Sequence, residues 1–492
     1  MHEVATFGVG EEIERMALTQ PGSGGDHWSS RTAFILAAVG AAVGLGNIWR
    51  FPTLAGENGG GAFVLVYIGF VVLLGLPLVL SEILLGRAGG TDAIGSVENV
   101  AEQSGASRNW KGIGALQITA GFLILSFYSV VAGWVINYVF LSGGDFFGSL
   151  FSGAPLATAF EGESQETITG YMGELFGDPW RLIGLHAIFM AATVWIVASG
   201  VHDGIEKAAK WLMPAFFVLL VIVTVYGAFT GEFAQAVAFM FTPDFSKLNP
   251  VALNEALGQA LFSLSLAAGG LLTYGAYITR DINLAPTAGM IAFADTLVAI
   301  LAGLMIFPIV FAVGLDPAAG PALIFQSLPV AFNQMPAGAL VGFVFFILIF
   351  FAALTSSISL LEGPVAWVID RFRIVRPMAA IIVGGVAFLI GVVCALGYNV
   401  LSDVRPLSFW NVFAENDILD ALDGVTGKIM LPLGAFLVAV FVGWIADRRI
   451  VQQQTGLSGG MFALWRFLVA WLCPIAVGLV LLFGLVPGLL PE

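Results

Sequence analysis

The amino-acid sequence predicts an all-α polytopic membrane protein. Of its 492 residues, 58% are hydrophobic and only 11% are charged, and the mean hydropathy is +0.94. A soluble chain of this length needs a more polar surface, whereas this one repeatedly offers apolar stretches long enough to cross a bilayer. Each crossing is expected to be an α-helix, because a helix satisfies its own backbone hydrogen bonds in lipid.

Apolar windows separated by charged or Pro/Gly-rich breaks predict about eleven transmembrane helices. The windows cover residues 32–55, 61–86, 113–142, 182–200, 207–229, 255–278, 287–314, 337–369, 378–398, 425–446 and 464–488. If the N-terminus is inside, fourteen of the 19 Lys and Arg residues lie on the cytoplasmic side and five lie outside. This asymmetry predicts a multi-pass protein of the cell membrane with a cytoplasmic N-terminus and, after an odd number of crossings, an external C-terminus.

Composition disfavours several other classes of protein. Residues 1–27 are polar and acidic, lack the basic and apolar regions of a signal peptide, and are expected to form a cytoplasmic tail. The formal net charge of -14 argues against a nucleic-acid partner. Cys394 and Cys473 lie in apolar runs and the four histidines are scattered, so no disulfide framework, metal-ligand cluster or organic cofactor is expected. The sequence contains no HExxH, no nucleophile-and-base pattern and no GxxxxGK(S/T) loop, so we expect neither an enzyme nor direct ATP drive.

The first window contains AVGAAVGLGNIWRFP, from Ala38 to Pro52, in which three glycines are followed by Asn47. This pattern predicts a break in the helix at mid-bilayer depth. Such a break is tolerated only where it lines a protein-enclosed or watery cavity. There the freed carbonyls can hold a small cation and the freed N–H groups can hold a carboxylate. A flexible, close-packed helix is the alternative, because small residues also mark helix–helix contacts.

The sixth window repeats this feature in FSLSLAAGGLLTYG, from Phe262 to Gly275. Two Gly-interrupted helices five spans apart predict two inverted five-helix repeats around a midplane site, an arrangement typical of transporters. The repeats are expected over residues 28–230 and 231–446, with an eleventh helix and a short C-terminus over 447–492. Coincidence is the competing explanation, because small residues are common in membrane helices.

The eighth window carries FFAALTSSISLLEGP, in which Ala352, Thr355 and Ser356 are spaced i, i+3 and i+4. This spacing places one carbonyl and two hydroxyls on a single helix face. Na⁺ is a hard cation that prefers such oxygens. Alternatively, the Ser and Thr hydroxyls bond back to the preceding turn of their own helix.

Three acidic residues fall inside predicted spans, where a charge is costly and therefore indicates function by default. They are Glu82, Asp295 and Glu362. Asp295 is the most informative, because it lies well inside MIAFADTLVAILAGL, whereas the other two lie nearer the cytoplasmic ends of their spans.

The chain resembles the neurotransmitter:sodium symporter family in its eleven-span prokaryotic form. The likeness lies in HWSSRTAFILAAVGAAVGLGNIWRFPTLAGENGGGAFVLVY, in GQALFSLSLAAGGLLTYGAY, in FFAALTSS and in the region of Tyr128, and it extends over nearly the whole chain. The resemblance implies a LeuT-like fold, a 5+5 inverted repeat with broken helices 1 and 6. It also implies Na⁺-coupled symport of a small-molecule substrate, imported across the lipid bilayer by alternating access.

The resemblance implies two Na⁺ sites. The first, Na1, would be formed by the Ala42 carbonyl with Asn47, Ser263 and Asp295. The second, Na2, would be formed by the carbonyls of Gly40, Val43 and Ala352 with the hydroxyls of Thr355 and Ser356.

The same resemblance implies the substrate contacts. A carboxylate would meet Na1, the N–H groups of Leu45 and Gly46, and the hydroxyl of Tyr128. An ammonium would meet carbonyls near Ala42 and Phe262 and the hydroxyl of Ser265. The substrate side chain would be surrounded by Ile124, Phe262, Ala268, Ser357 and Leu360.

Three positions refine the expected substrate and ions. Gly44 favours an amino acid, because relatives that carry amines lacking a carboxylate place an Asp there. The small Ala268 enlarges the pocket and favours a bulky apolar or aromatic amino acid. Asp295 falls where many relatives have Asn beside a chloride site, so its carboxylate would supply the negative charge and chloride would not be required.

The resemblance also implies gates on both sides. The outer gate would pair Arg50 with Asp423, with Gln259 steadying Arg50 and with Tyr128 and Phe262 forming a thinner lid. The inner gate would use Asp370 near Tyr277. Its usual Arg partner before Trp28 is absent, since Gly25 and Asp26 occupy that stretch, and Arg15 and Arg31 are the candidates to replace it.

Other functions remain open from the sequence. They are Na⁺-coupled import of an amine or another small osmolyte, an ion channel, and a substrate-sensing membrane receptor. A channel is disfavoured because the polar groups converge at one depth, whereas a pore needs continuous polar lining. A receptor would need a signalling domain, which the short termini do not offer. The oligomeric state is not predicted.

Overall fold

The computed structural model describes residues 27–153, 159–160, 162–318, 320, 322–486 and 489. Over these ranges the chain is helical and contains no β-strand. The predicted tail over residues 1–27 lies outside the described ranges except for residue 27, and so does most of the chain after residue 486.

The described helices are numbered in chain order. The first nine are α1 (Arg31–Ala42), α2 (Gly46–Glu57), α3 (Gly61–Gly89), α4 (Ala93–Gln103), α5 (Arg108–Ser152), α6 (Gln165–Gly177), α7 (Pro179–Ala198), α8 (Val201–Thr230) and α9 (Phe233–Phe241). The others are α10 (Pro250–Ser263), α11 (Gly270–Ala276), α12 (Leu284–Ala312), α13 (Leu328–Gln334), α14 (Gly338–Phe372), α15 (Arg376–Leu396), α16 (Ile418–Ile445), α17 (Arg448–Thr455) and α18 (Gly459–Leu485).

The crossings agree with the predicted windows. In the described part of the chain, nine helices are long and apolar enough to cross a membrane: α3, α5, α7, α8, α12, α14, α15, α16 and α18. The pair α1 and α2 forms a tenth crossing, bent by 51° at its break. The pair α10 and α11, separated by residues 264–269, lies where the sixth window was predicted. The third window was the most shortened, since α5 runs from Arg108 to Ser152, and the fifth and tenth windows began several residues after α8 and α16 do.

Helix α1 ends at Ala42 because the next residues leave helical geometry. Val43 has an extended ψ of 108°. The Gly44 N–H then donates to the side-chain oxygen of Asn47 at 3.1 Å, so a side chain replaces the helical carbonyl acceptor. The chain resumes as α2 at Gly46 with one wide, π-helical turn. The break predicted in the first window is therefore present.

The break between α10 and α11 is held by an acid from α3. Ser265 and Ala267 adopt φ values of +50° and +61°, a left-handed conformation that costs a non-glycine residue about 1–2 kcal/mol. The buried Glu82 accepts hydrogen bonds from the Ala267 N–H at 2.7 Å and from Gln117 Nε2 at 2.9 Å. A buried backbone N–H in an irregular segment needs an acceptor from the protein, which Glu82 supplies. Glu82, a candidate functional acid from the sequence, thus stabilises the second break.

Glycines allow the short helix α11 to lie directly against α3. A Cβ atom at Gly86 would stand 2.0 Å from the carbonyl oxygen of Leu272, and one at Gly275 would stand 2.6 Å from that of Ile83. No side chain fits at these distances. The packing of α11 therefore depends on backbone contact, which positions the second break against α3.

Replacing Glu82 by Leu is expected to lower the free energy of unfolding by about 1–3 kcal/mol, because the buried Ala267 N–H then has no acceptor. Glu82→Gln is the matched control, since it keeps an acceptor oxygen at the same position. Thermal unfolding of the detergent-solubilised protein measures both variants. Equal melting temperatures for the wild type and Glu82→Leu would contradict this role.

Candidate ion and substrate site

Three polar side chains meet beside the first break. Asn47 Nδ2 donates to Asp295 Oδ1 at 2.7 Å and to the Asp295 carbonyl at 3.1 Å. Ser263 Oγ donates to Asp295 Oδ2 at 3.0 Å. All three residues are buried, and a carboxylate at this depth needs a neutralising cation or proton. The structure thus brings together the predicted Na1 side chains, and Ala42 is buried at the adjoining end of α1.

Tyr67 of α3 also belongs to this cluster, although the sequence analysis does not identify it. Its hydroxyl lies 3.1 Å from Ser263 Oγ and 3.5 Å from Asp295 Oδ2. A buried phenol normally finds a hydrogen-bond partner. A lone Tyr within the apolar run AFVLVYIGFVVLLGL is therefore the signal that would have pointed to it.

A second oxygen cluster lies between α1 and α14. Ser356 Oγ donates to the carbonyl oxygens of Gly40 and Val43 at 3.2 and 3.1 Å. Thr355 Oγ1 lies 3.1 Å from the carbonyl oxygen of Ala352. The carbonyls of Gly40, near the end of α1, and of Val43, just after it, are available because the break removes their helical partners. The structure therefore places all five predicted Na2 residues together.

The chemistry of both clusters suits a small, hard cation. The second cluster contains only neutral oxygens, and the first adds one carboxylate. Oxygen ligands of this kind favour Na⁺ over transition metals, which prefer imidazole and thiolate. Among the described residues, no group of three or more His, Cys, Asp and Glu could hold a metal ion.

Gly44 lies between the two clusters, where there is no space for a side chain. A Cβ atom there would stand 2.6 Å from Ser356 Oγ and 3.1 Å from the Tyr128 hydroxyl oxygen. The Leu45 N–H points towards the same Tyr128 hydroxyl at 3.4 Å. The backbone of the break thus lies against α5 and α14, with an N–H group and a phenol facing one another.

The two breaks are also tied to each other. Ser265 Oγ donates to the carbonyl of Ala41 at 2.8 Å. Gln259 Nε2 donates to the carbonyl of Gly46 at 2.8 Å, and a Cβ atom at Gly46 would stand 3.0 Å from the Phe262 ring. Gln259 was predicted to steady Arg50 of the outer gate. In the structure its amide group donates a hydrogen bond to the backbone of α2 instead.

The residues expected around a substrate side chain are mostly found together. A Cβ atom at Gly121 would stand 2.3 Å from the carbonyl oxygen of Ala268 and 3.6 Å from Leu360 Cδ2. Ile124 is buried one turn further along α5. Small residues at positions 121 and 268 thus allow the second break to approach α5 closely.

Ser357 departs from this predicted set. Its hydroxyl donates to the carbonyl of Leu354 at 2.8 Å and lies 2.9 Å from the Thr193 hydroxyl of α7. The hydroxyl therefore joins α14 to α7. The prediction that it borders the substrate is not supported by this geometry.

A cavity of about 560 Å³ extends from the breaks to the start of α16. Its walls include Tyr128, Phe262, Arg50 and Asp423. The Arg50 guanidinium lies 4.6 Å from the centroid of the Phe262 ring, a cation–π contact. No direct ion pair joins Arg50 to Asp423 in the described structure, so the two predicted gate charges face a common cavity without meeting.

The opposite end of the two broken helices is closed around Trp28. Its indole Nε1 donates to the carbonyl of Tyr274 at 3.0 Å, and its backbone N–H donates to the carbonyl of Tyr277 at 3.2 Å. Trp28 precedes α1, Tyr274 belongs to α11 and Tyr277 directly follows α11. Hydrogen bonds from Trp28 therefore connect the two broken helices at this end.

The predicted inner-gate charges differ from expectation. Asp370 accepts a hydrogen bond from the Asp92 N–H at 3.3 Å, whereas the Tyr277 hydroxyl donates to Glu362 at 2.6 Å. Burial raises the pKa of the Asp92 carboxyl, and the nearby Asp370 carboxylate raises it further. Among the described residues Arg31 forms no ion pair with Asp370, and its Nε donates to Thr287 of α12 at 3.3 Å. The other candidate, residue 15, lies outside the described residues.

Two broken helices, with two oxygen clusters beside the first break, are an arrangement typical of secondary transporters among multi-pass membrane proteins. The model of the sodium:neurotransmitter symporter family matches residues 25–146 and 176–486. The chain belongs to this family, which is a family of transporters and not of enzymes.

Known relatives and structures agree with this assignment. The uncharacterized sodium-dependent transporter YhdH of Bacillus subtilis is 34% identical over 92% of this chain and 96% of the relative. The human sodium-dependent neutral amino acid transporter SLC6A17 is 23% identical over 91% of this chain and 71% of the relative. The crystal structure of MhsT in complex with L-phenylalanine matches with a TM-score of 0.82 and 41% identity, covering 94% of this chain and 100% of MhsT. The chain is thus a sodium-dependent transporter with a LeuT-like fold.

Replacing Ser356 by Ala is expected to raise about tenfold the Na⁺ concentration needed for half-maximal stabilisation, because one oxygen of the second cluster is lost. The measurement is the melting temperature of the purified protein titrated with NaCl against KCl at constant ionic strength. Ser359→Ala is the matched control, since that hydroxyl bonds back to the Ser356 carbonyl at 2.8 Å. An unchanged Na⁺ titration for Ser356→Ala would exclude this hydroxyl as a ligand.

Proposed function

We propose that the protein is a Na⁺-coupled symporter that imports an amino acid by alternating access. The observation that carries this proposal is the position of the Asn47, Ser263 and Asp295 cluster directly beside the Leu45 N–H and the Tyr128 hydroxyl. A substrate carboxylate there would bind both the cation and the start of α2, where the helix dipole favours negative charge. An amine without a carboxylate would lack both contacts.

The proposed substrate is a bulky apolar or aromatic amino acid. Gly44 supports an amino acid, because the family members that carry amines place an Asp at this position. The small Ala268 supports a large side chain, because a bulkier residue at this position would take up part of the pocket. MhsT, which is 41% identical to this chain, is described in complex with L-phenylalanine. We therefore infer a related substrate class for this chain.

In the transport cycle, an ion bound in each cluster would connect helices that contribute oxygens to it. Na⁺ in the second cluster would hold α1 against α14, because its ligands come from both helices. Na⁺ in the first cluster would hold α2, α10 and α12 together through Asn47, Ser263 and Asp295. Each ion thus stabilises the arrangement in which its ligands converge, and the two proposed repeats, 28–230 and 231–446, would rock around the site.

Chloride would not be required for this cycle. The Asp295 carboxylate is buried within the first cluster and already supplies one negative charge beside the proposed ion. An opposite charge near a cation lowers the cost of burying it. The same proposal places the protein in the cell membrane with its N-terminus in the cytoplasm and its C-terminus outside, following the distribution of Lys and Arg.

Uptake into proteoliposomes tests the proposed function. A radiolabelled amino-acid mixture is supplied with an inward Na⁺ gradient, with K⁺ replacing Na⁺ in one control and gluconate replacing Cl⁻ in another. Accumulation is expected to need Na⁺ but not Cl⁻, and unlabelled aromatic or bulky apolar amino acids are expected to compete best. A folded protein without Na⁺-driven uptake of any amino acid would contradict the proposal and direct the search to amines, osmolytes and conductance.

Replacing Asp295 by Asn is expected to raise the Na⁺ requirement for uptake about tenfold or more, because a negative charge close to the ion is lost. The variant is also expected to gain a dependence on Cl⁻. Ser263→Ala is the control, since it removes a neutral oxygen and keeps the carboxylate, so it should weaken Na⁺ dependence without creating a response to Cl⁻. If Asp295→Asn leaves the Na⁺ and Cl⁻ dependence of uptake unchanged, the proposed role of the Asp295 carboxylate is wrong.

A further inference from the structure

Two arginines near the start of α18 have no acidic partner in the described part of the chain. Arg466 lies about two turns into α18, and Arg448 is the first residue of α17. The Arg466 Nη1 atom is buried and forms no hydrogen bond with a described residue. No ion pair with another described residue reaches either guanidinium, and the two charges are close enough to repel each other. A cation in this setting is costly unless an anion binds it.

Arg466 lies in a groove between α18 and the corner at which α16 meets α17. One turn before it, the Phe462 ring centroid lies 5.6 Å from the Arg448 guanidinium carbon. One turn after it, the carbonyl of Ala470 accepts a hydrogen bond from Trp444 Nε1 of α16 at 2.7 Å. Residues four apart share one helix face, and helical side chains point back towards the helix N-terminus. Arg466 therefore points along this groove towards Arg448.

Large apolar side chains are exposed at the edges of the groove. Trp444 and Trp471 pack edge to face with their ring centroids 4.5 Å apart, and each is about half exposed. Leu464 and Phe467, which lie on either side of Arg466 in the sequence, are exposed as well. Tryptophan is enriched where a membrane protein meets the lipid headgroups. A ligand that matches this surface has both an anionic group and a hydrocarbon part.

Neighbouring charged groups are already paired, which distinguishes these two arginines from others nearby. Asp447, next to Arg448 in the sequence, accepts hydrogen bonds from the Arg449 N–H at 2.7 Å and from Arg449 Nη2 at 3.2 Å. Arg87 of α3 donates to the side chain and the carbonyl of Gln454 in α17. The protein thus supplies acceptors for Arg449 and Arg87.

We propose that Arg448 and Arg466 bind the phosphate of an anionic phospholipid whose acyl chains lie along the exposed apolar surface of α16 and α18. A guanidinium can donate to two phosphate oxygens at once, so two arginines can hold one phosphate from two sides. Basic pockets between transmembrane helices bind lipid headgroups in this way. A free phosphate would supply the same charge but no hydrocarbon to cover Trp444 and Trp471, which favours the lipid.

Thermal unfolding of the purified protein in a neutral detergent tests this proposal. Three additions are compared: phosphatidylglycerol, phosphatidylcholine with the same acyl chains, and inorganic phosphate at the same concentration. Phosphatidylglycerol is expected to raise the melting temperature until the site is saturated, and the other two are expected to have no such effect. An equal rise with inorganic phosphate would overturn the choice of a lipid. An equal rise with phosphatidylcholine would show that the anionic group is not recognised.

Removing either arginine is expected to weaken this binding. Arg466→Gln and Arg448→Gln should each raise about fivefold the phosphatidylglycerol concentration needed for half-maximal stabilisation, because each removes one positive charge from the site. Arg449→Gln is the matched control, since its side chain is on the same short helix but is 93% exposed and paired with Asp447. It should leave the titration within about twofold. Equal weakening by all three variants would indicate general attraction to basic residues and overturn the proposal.

The melting temperature without added lipid separates a lipid site from an internal structural role. Arg466→Gln is expected to unfold at the wild-type temperature or above it in neutral detergent, because a buried charge without a protein partner is removed. A lower melting temperature, together with an unchanged phosphatidylglycerol titration, would refute the site. Arg448 is exposed, so Arg448→Gln still tests the proposal if Arg466→Gln does not fold. These measurements need no transported substrate, so their outcome is independent of the symporter proposal.

Discussion

Backbone polar groups exposed by the two helix breaks are the constraint on which the rest of this structure depends. Inside a membrane each freed N–H or carbonyl needs a partner from the protein or from a ligand, since lipid offers none. At the first break, Asn47 and Ser356 satisfy an N–H and two carbonyls. At the second, Glu82 satisfies the Ala267 N–H. The neighbouring helices are positioned by these bonds.

The same partners explain why an ion can control the conformation. Ser356 contacts carbonyls of α1 from α14, and Asn47 contacts Asp295 of α12 from α2. The oxygens proposed to bind cations thus belong to contacts between helices. A cation bound there would strengthen those contacts in the one arrangement in which its ligands converge, which is the requirement for coupling ion binding to a change in access.

The three intramembrane acids show how one residue type takes different roles. Asp295 is surrounded by hydroxyl and amide groups suited to an ion, Glu82 faces an irregular backbone segment, and Glu362 is paired with Arg376. All three are buried, and burial alone made each a functional candidate. Their neighbours decide between a cluster suited to an ion, support for an irregular backbone segment and an ion pair between consecutive helices.

The sequence by itself determined the crossings and the breaks, because hydropathy and clustered glycines act locally along the chain. It also determined that Ala352, Thr355 and Ser356 share a face, since helical periodicity requires this. Only the tertiary structure decided that Ser357 bonds to Thr193, that Gln259 bonds to the Gly46 carbonyl, and that Tyr277 bonds to Glu362 and not to Asp370. Those pairings depend on how each helix is rotated against its neighbours. A rotation of this kind is fixed by the packing of many side chains together, which no local pattern encodes.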